Sequence, residues 1–197
     1  MNIAVVGMGK IGLPLAVQYA RKGHIVTGTD INPETVSAIN EGRTPFPGED
    51  HLDDYLAEVV GSGLLRATTE TSLAVKEVDA VVVVVPLFVD DAARPDFSAM
   101  DAATAAVGAG LQPGTLVSYE TTLPVGTTRD RLMPLLEERS GLRAGRDFFV
   151  VFSPERVLTG RVFSDLRKYP KLVGGIDSDS ERRGKAFYEA VLDFDTR

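Results

Sequence analysis

The chain contains no cysteine and only two histidines, His24 and His51. Without cysteine it can form no disulfide, no thiolate metal site and no cysteine nucleophile. Two histidines without metal-ligand spacing give no reason to expect a metal. Basic residues are the minority, 21 Lys and Arg against 28 Asp and Glu, for a net charge of −7. That balance argues against nucleic acid and anionic membrane as partners. It leaves a phosphate-bearing ligand open, because local amides and helix ends decide that. Long apolar runs are also missing: the longest, Ala80 to Val85, is far too short to span a bilayer. The N-terminus is apolar but lacks a basic n-region, so it reads as a first strand and not as a signal peptide. A cytoplasmic location is expected. There is no internal repeat and no low-complexity tract.

What remains is an ordinary globular composition of 197 residues, 44% hydrophobic and 25% charged. That suffices for one domain with a sizeable core, or for one domain and part of another.

The first thirty residues organise the rest. Asn2 to Val6 reads as a strand, and Gly7-Met8-Gly9-Lys10-Ile11-Gly12 follows as a G-x-G-x-x-G turn. Leu13 to Arg21 has apolar residues at helical spacing, and His24 to Thr29 is a second strand that ends in Asp30. Each position has a chemical reason. Gly7 allows the tight turn, Gly9 lets a pyrophosphate approach the backbone, and Gly12 lets the helix pack closely. The free N–H groups at the helix start, those of Lys10 and Ile11, face the anion. Asp30 lies 18 residues after Gly12, near the usual spacing of about 20 at which an acid accepts hydrogen bonds from an adenosine ribose. Its charge opposes a 2′-phosphate, and no Arg or Lys follows in Ile31 to Glu34, so the pattern specifies NAD over NADP. A glycine turn that serves packing only is the plainer alternative.

Further along, Asn32 N-caps a helix over Pro33 to Asn40. Glu41 to Glu49 is a Gly- and Pro-punctuated loop, read as a connector in preference to a flap over the cofactor. Helices over Asp50 to Val60 and Thr71 to Glu77 bracket a short strand at Leu64 to Ala67. Asp79 to Val85 is a strand buried on both faces. Val85 and Pro86 stand at its carboxyl end, where open α/β sheets bind ligands, and are taken as cofactor contacts. A loop from Leu87 to Pro95, a helix from Ser98 to Val107 and a strand from Thr115 to Tyr119 follow. Pro134 should kink or split the helix expected over Val125 to Arg139. Strands at Phe148 to Phe152 and Lys171 to Gly174 precede a last helix, Ser178 to Leu192, whose apolar side is Ala186, Phe187, Ala190 and Val191. Strands alternating with helices predict an α/β, doubly wound, mostly parallel Rossmann-type sheet with helices on both faces.

Several stretches together resemble the UDP-glucose/GDP-mannose dehydrogenase family at its N-terminal NAD-binding domain. They are Gly7 to Ala16, Thr121-Thr122-Leu123-Pro124-Val125-Gly126-Thr127, Ser153-Pro154-Glu155-Arg156-Val157, and Asp165-Leu166 through Pro170 to Gly175. The resemblance implies a nucleotide-sugar 6-dehydrogenase, oxidising the C6 alcohol of a UDP-sugar to a carboxylate with two NAD per turnover. It implies that Thr122 holds the catalytic water, and that Glu155 acts as general base or orders that water in hydrolysing a thioester. Both are also taken as cofactor contacts. A buried, partly apolar setting is expected to raise the Glu155 pKa toward the working pH. Read alone, Thr122 is more simply a helix N-cap or turn residue, and Glu155 a solvated first-turn acid, the commoner case. Ser153 to Leu158 with Gly160-Arg161 is more similar to the branch acting on UDP-N-acetylhexosamines.

The sequence departs from the family pattern at Thr159, where some members have a second glutamate, at Thr35, often basic, and at Leu87, commonly threonine. The family's nucleophilic cysteine and partner lysine lie beyond a long central helix. The resemblance therefore implies a cofactor domain over residues 1–197, with 178–197 leading into that helix and the central and C-terminal domains absent. Such a chain should bind NAD without turnover, and the full-length protein should be a homo-oligomer. An NAD(H)-sensing Rossmann module without chemistry remains open, since it needs neither Thr122 nor Glu155. A β-hydroxyacid-type dehydrogenase opens with a similar turn, but its serine-rich motif does not match Thr121 to Thr127.

Overall fold

A computed structural model describes residues 1–193; the expected chain end over residues 194–197 lies outside the described residues. The sheet is built from β1 (Asn2–Val6), β2 (Ile25–Thr29), β3 (Leu65–Thr68), β4 (Ala80–Val83), β7 (Leu116–Tyr119), β8 (Phe149–Phe152) and β9 (Gly174–Gly175). Its order is β3-β2-β1-β4-β7-β8-β9. Every pair is parallel except the antiparallel β8–β9 edge. This is the doubly wound sheet the alternation of elements called for.

Strand periodicity sorts the core into two layers. Ile3, Val5, Val82 and Val151 pack on one face, under α1 (Gly12–Arg21), α3 (Leu52–Gly61), α7 (Val162–Lys168) and α8 (Ser178–Val191). Ala4, Val6, Val81, Val83 and Val150 pack on the other, under α5 (Ser98–Gly110) and α6 (Met133–Ser140). The unbroken valines of β4 are buried because both faces are covered. Among the described residues no helix is long and apolar enough to cross a membrane.

Local chemistry sets the ends of the elements. Asn32 accepts the Glu34 N–H at 2.9 Å and caps α2 (Pro33–Asn40), with Pro33 in its first turn. Pro134 divides the helix expected over Val125 to Arg139. Having no N–H, and with a ring that crowds the carbonyl four residues back, it cannot sit in a regular ladder. The chain widens into one π-helical turn over Thr128–Leu132 before α6 resumes. Four other segments differ from the sequence reading. The loop after β4 contains a small hairpin, β5 (Phe88–Val89) with β6 (Pro95–Asp96). The residues before β9 form α7, which sequence periodicity did not mark. Lys171 precedes the last strand, which is only Gly174–Gly175. On α8 the buried face is Gly184, Phe187, Tyr188 and Val191, while Ala186 and Ala190 face outward.

Candidate active site

The register levels the strands at their carboxyl ends. Val6 pairs with Thr29 and Val83, Val83 with Tyr119, and Tyr119 with Phe152. The residues that follow are therefore presented along one edge: Gly7, Asp30, Val84 to Pro86, Glu120 to Thr122, and Ser153 to Glu155. Main-chain bonds carry the alignment past the strands, Gly7 N–H to Thr29 O at 2.8 Å, Glu120 N–H to Val83 O at 3.0 Å and Glu155 N–H to Glu120 O at 3.0 Å.

At the first switch in strand order lies a cavity of about 460 Å³, walled by Gly7, Gly9, Asp30, Thr71, Val85 and Pro86 among others. Gly7 has φ +94, and a β-carbon on it would meet the Val84 carbonyl oxygen at 3.0 Å. A β-carbon on Gly12 would stand 1.8 Å from the Gly7 carbonyl oxygen, so helix and turn can be this close only without a side chain. Gly9 is different: a β-carbon there meets nothing within 4 Å. The space it leaves serves no internal packing and is open to a ligand. Asp30 accepts the Met8 N–H through one carboxylate oxygen and the Asn32 N–H through the other, both at 2.9 Å. It is thus fixed between the glycine turn and α2, with a lone pair left on each oxygen. Open space over Gly9, the unpaired first N–H groups of a helix and an oriented carboxylate fit a dinucleotide. Lys10, Ile11 and Gly12 are not among the cavity walls; Lys10 and Ile11 complete the turn and Gly12 is the first residue of α1.

Thr122 is exposed, and its hydroxyl makes no hydrogen bond with the described residues. Its neighbour Thr121 makes the structural link, donating to the Val85 carbonyl at 2.6 Å. Thr122 caps no helix.

Glu155 is not the solvated acid that the sequence alone allows. Its side chain is 11% exposed, and one oxygen receives the Lys171 ammonium at 2.5 Å. Its other oxygen accepts the Arg156 N–H at 2.7 Å. Lys171 also donates to Glu120 at 2.7 Å. The second Glu120 oxygen accepts the hydroxyls of Tyr188 at 2.8 Å and Tyr19 at 3.2 Å. Glu120 is wholly buried and Lys171 nearly so.

This cluster reverses the expectation for Glu155. Burial pushes its carboxyl up, but the Lys171 charge and hydrogen bond, with the Arg156 N–H, outweigh it and hold the pKa below the ordinary value. Glu120 is the raised carboxyl: burial and the Glu155 charge take it to about 7, against the pull of Lys171. Burial also works against the Lys171 ammonium, yet the two carboxylates keep it firmly protonated. Sequence reasoning missed Glu120, Lys171, Tyr19 and Tyr188. The one signal was Lys171 itself, a lysine assigned to a buried strand and so in need of a partner.

Comparisons with known proteins show the family and the fold. A family model described as the UDP-glucose/GDP-mannose dehydrogenase family, NAD binding domain, matches residues 1–192. A UDP-N-acetyl-D-mannosamine dehydrogenase of Pyrococcus horikoshii is 37% identical over 98% of this chain and 45% of its own length. An NDP-N-acetyl-D-galactosaminuronic acid dehydrogenase of Ralstonia nicotianae is 37% identical over 97% of this chain and 45% of its own. The crystal structure of the Methanosarcina mazei enzyme of that second name superposes with TM-score 0.92 at 36% identity, covering 99% of this chain and 43% of the other. The chain thus spans less than half the length of the relatives it matches.

Proposed function

This chain belongs to the UDP-glucose/GDP-mannose dehydrogenase family, as its NAD-binding domain, and we propose that it is the cofactor half of a nucleotide-sugar 6-dehydrogenase that oxidises the C6 alcohol of a UDP-N-acetylhexosamine to a carboxylate with two NAD per turnover. The observation that carries the reading is the single edge on which the glycine turn, Asp30 and Glu155 are presented by level strand ends. The names of the relatives supply the substrate class.

NAD, when bound, accepts hydride from the substrate carbon. The chain's own residues do the rest. The backbone over Gly9 and the N-terminus of α1 receive the pyrophosphate. Asp30 receives the adenosine ribose hydroxyls and repels a 2′-phosphate. Val85 and Pro86 wall the path from the adenosine end toward the next strands. Thr122 offers a free hydroxyl at the following strand end. Of the two roles open to Glu155, ordering a water suits it better than taking a proton at neutral pH, because Lys171 holds it ionised. With no cysteine among its 197 residues, this stretch alone binds NAD and does not turn over.

The test is a fluorescence titration with NADH, with NADPH beside it. Saturable NADH binding at least tenfold tighter than NADPH is expected; equal affinities would remove Asp30 from the reading. Joined to the C-terminal half of the Pyrococcus horikoshii relative, the chain should reduce NAD with UDP-N-acetyl-D-mannosamine. Failure there with NADH binding intact would favour a sensing module.

A further inference from the structure

We propose that Lys171 is the positioning residue of Glu155, clamping its carboxylate in place while being anchored in turn on the buried carboxylate of Glu120. The inference rests on the reading of Glu155 as the residue that orders the catalytic water.

The three side chains come from three separate segments: the end of β7, the turn after β8 and the loop before β9. One ammonium bridges the two carboxylates, at 2.7 Å to Glu120 and 2.5 Å to Glu155. The backbone on each side of the lysine is tied to the same turn that carries Glu155. Arg156 donates to the Pro170 carbonyl, and Ser153 Oγ donates to the Leu172 carbonyl at 2.7 Å. Lysine and glutamate are thus placed relative to each other by main-chain anchors as well as by charge. Glu120 is held on its far side by Tyr188 from α8 and Tyr19 from α1, and Tyr188 is itself hydrogen-bonded to Ser118 at 2.6 Å. The groups facing Glu120 are therefore Lys171, Glu155, two tyrosines and, through Tyr188, one serine.

Stability does not account for such an arrangement. Taking one cation and two carboxylates out of water is costly, and well-packed apolar residues in their place are commonly neutral or stabilising. A rigid cluster whose most accessible member is Glu155 is instead what a fixed carboxylate at a strand end requires. Tyr19 also lies on the helix that the glycine turn starts, so the clamp ties the cofactor element to Glu155 through Glu120.

Removing the ammonium leaves two carboxylates in one dry pocket, and they cannot both stay ionised. The experiment is carbon-13 NMR of the glutamate carboxyls across pH in the 197-residue chain. In the wild type and in Lys171→Arg, Glu155 should titrate below the ordinary range; in Lys171→Met its midpoint should rise by about one unit or more. An unchanged midpoint in Lys171→Met overturns the proposal. If Lys171→Met fails to fold, Lys171→Gln carries the test: its neutral amide keeps a polar group in the same space without the charge, and the Glu155 midpoint should rise as in Lys171→Met; an unchanged midpoint overturns the clamp. The reading of Glu155 fails separately, if Glu155→Gln in the joined protein described above leaves turnover intact.

Discussion

At the residue scale, Gly9 and Gly12 occupy the same motif for opposite reasons. Gly12 is needed by the fold, since any side chain would meet the Gly7 carbonyl. Gly12→Ala should cost about 1–3 kcal/mol as overpacking, seen as a lowered midpoint in urea. Gly9→Ala meets only open space. It should leave stability within about 1 kcal/mol of wild type while weakening NADH binding in the fluorescence titration. Equal losses of stability in both variants would mean the turn is structural throughout. Glu120 gives a pH prediction. The folded state holds its proton more tightly than the unfolded chain, about 7 against the ordinary 4.5. Its contribution is therefore full below pH 4.5 and is withdrawn as pH rises toward 7, roughly 3 kcal/mol in all. Glu155, shifted downward, changes only at lower pH. Thermal midpoints between pH 5 and 8 should fall with rising pH in the wild type, relative to Glu120→Gln. The glycine turn and Asp30 were legible in the sequence because their chemistry is local. The Glu120–Lys171–Glu155 cluster was not, because its members lie 51 and 16 residues apart and meet only once the strands are in register. Glu155 was found by its motif, but its ionisation was misjudged, since the partner that decides it was out of view.

At the scale of elements, the loop from Glu41 to Glu49 does more than connect. The Glu49 carboxylate accepts the N–H groups of Gly160 and Val162, both at 2.6 Å, at the start of α7. It caps a helix more than a hundred residues away, and so braces the turn that runs from Glu155 to Gly160. Acids are favoured at a helix N-terminus for this reason. Glu49→Ala should destabilise the chain by about 1–2 kcal/mol, and hydrogen exchange should speed up at Gly160 and Val162 well before it does in the central strands. Uniform exchange changes across the sheet would mean the loop acts only through packing. Such a cap is invisible to local pattern, because the capping side chain does not precede its own helix. The same limit hid α7: its seven residues are too few to display a helical period. The long valine strand and the Asn32-Pro33 helix start were readable because both signals sit within a few neighbouring residues. Pro134 shows the intermediate case. Its position in sequence marked where the helix must break, while the form of the break, a π turn followed by α6 and not an end, had no local signal.

At the scale of the whole molecule, α8 belongs to this domain's core, whatever may be joined beyond it. Gly184 lets it lie close to the sheet, since a β-carbon there would meet Val151 and Val173 at 2.7 and 2.8 Å. Phe187, Tyr188, Val191 and Leu192 are each at most 4% exposed, and Phe187 meets the Tyr19 ring edge-on at 5.8 Å. Four such side chains at about 1.5–3 kcal/mol each contribute roughly 6–12 kcal/mol, comparable with the typical total of about 5–15 kcal/mol for a domain. The helix also supplies Tyr188, one of the two hydroxyls on Glu120. A domain boundary drawn before Ser178, on the view that the helix merely leads elsewhere, would strip part of one helix layer from the sheet and uncover a buried carboxylate. A chain ending at Asp177 should therefore lose its cooperative thermal transition and bind a hydrophobic dye, while keeping much of its far-ultraviolet circular dichroism. A sharp transition near that of the complete chain would show that the six parallel strands and their other helices suffice, and would place α8 outside the folding unit.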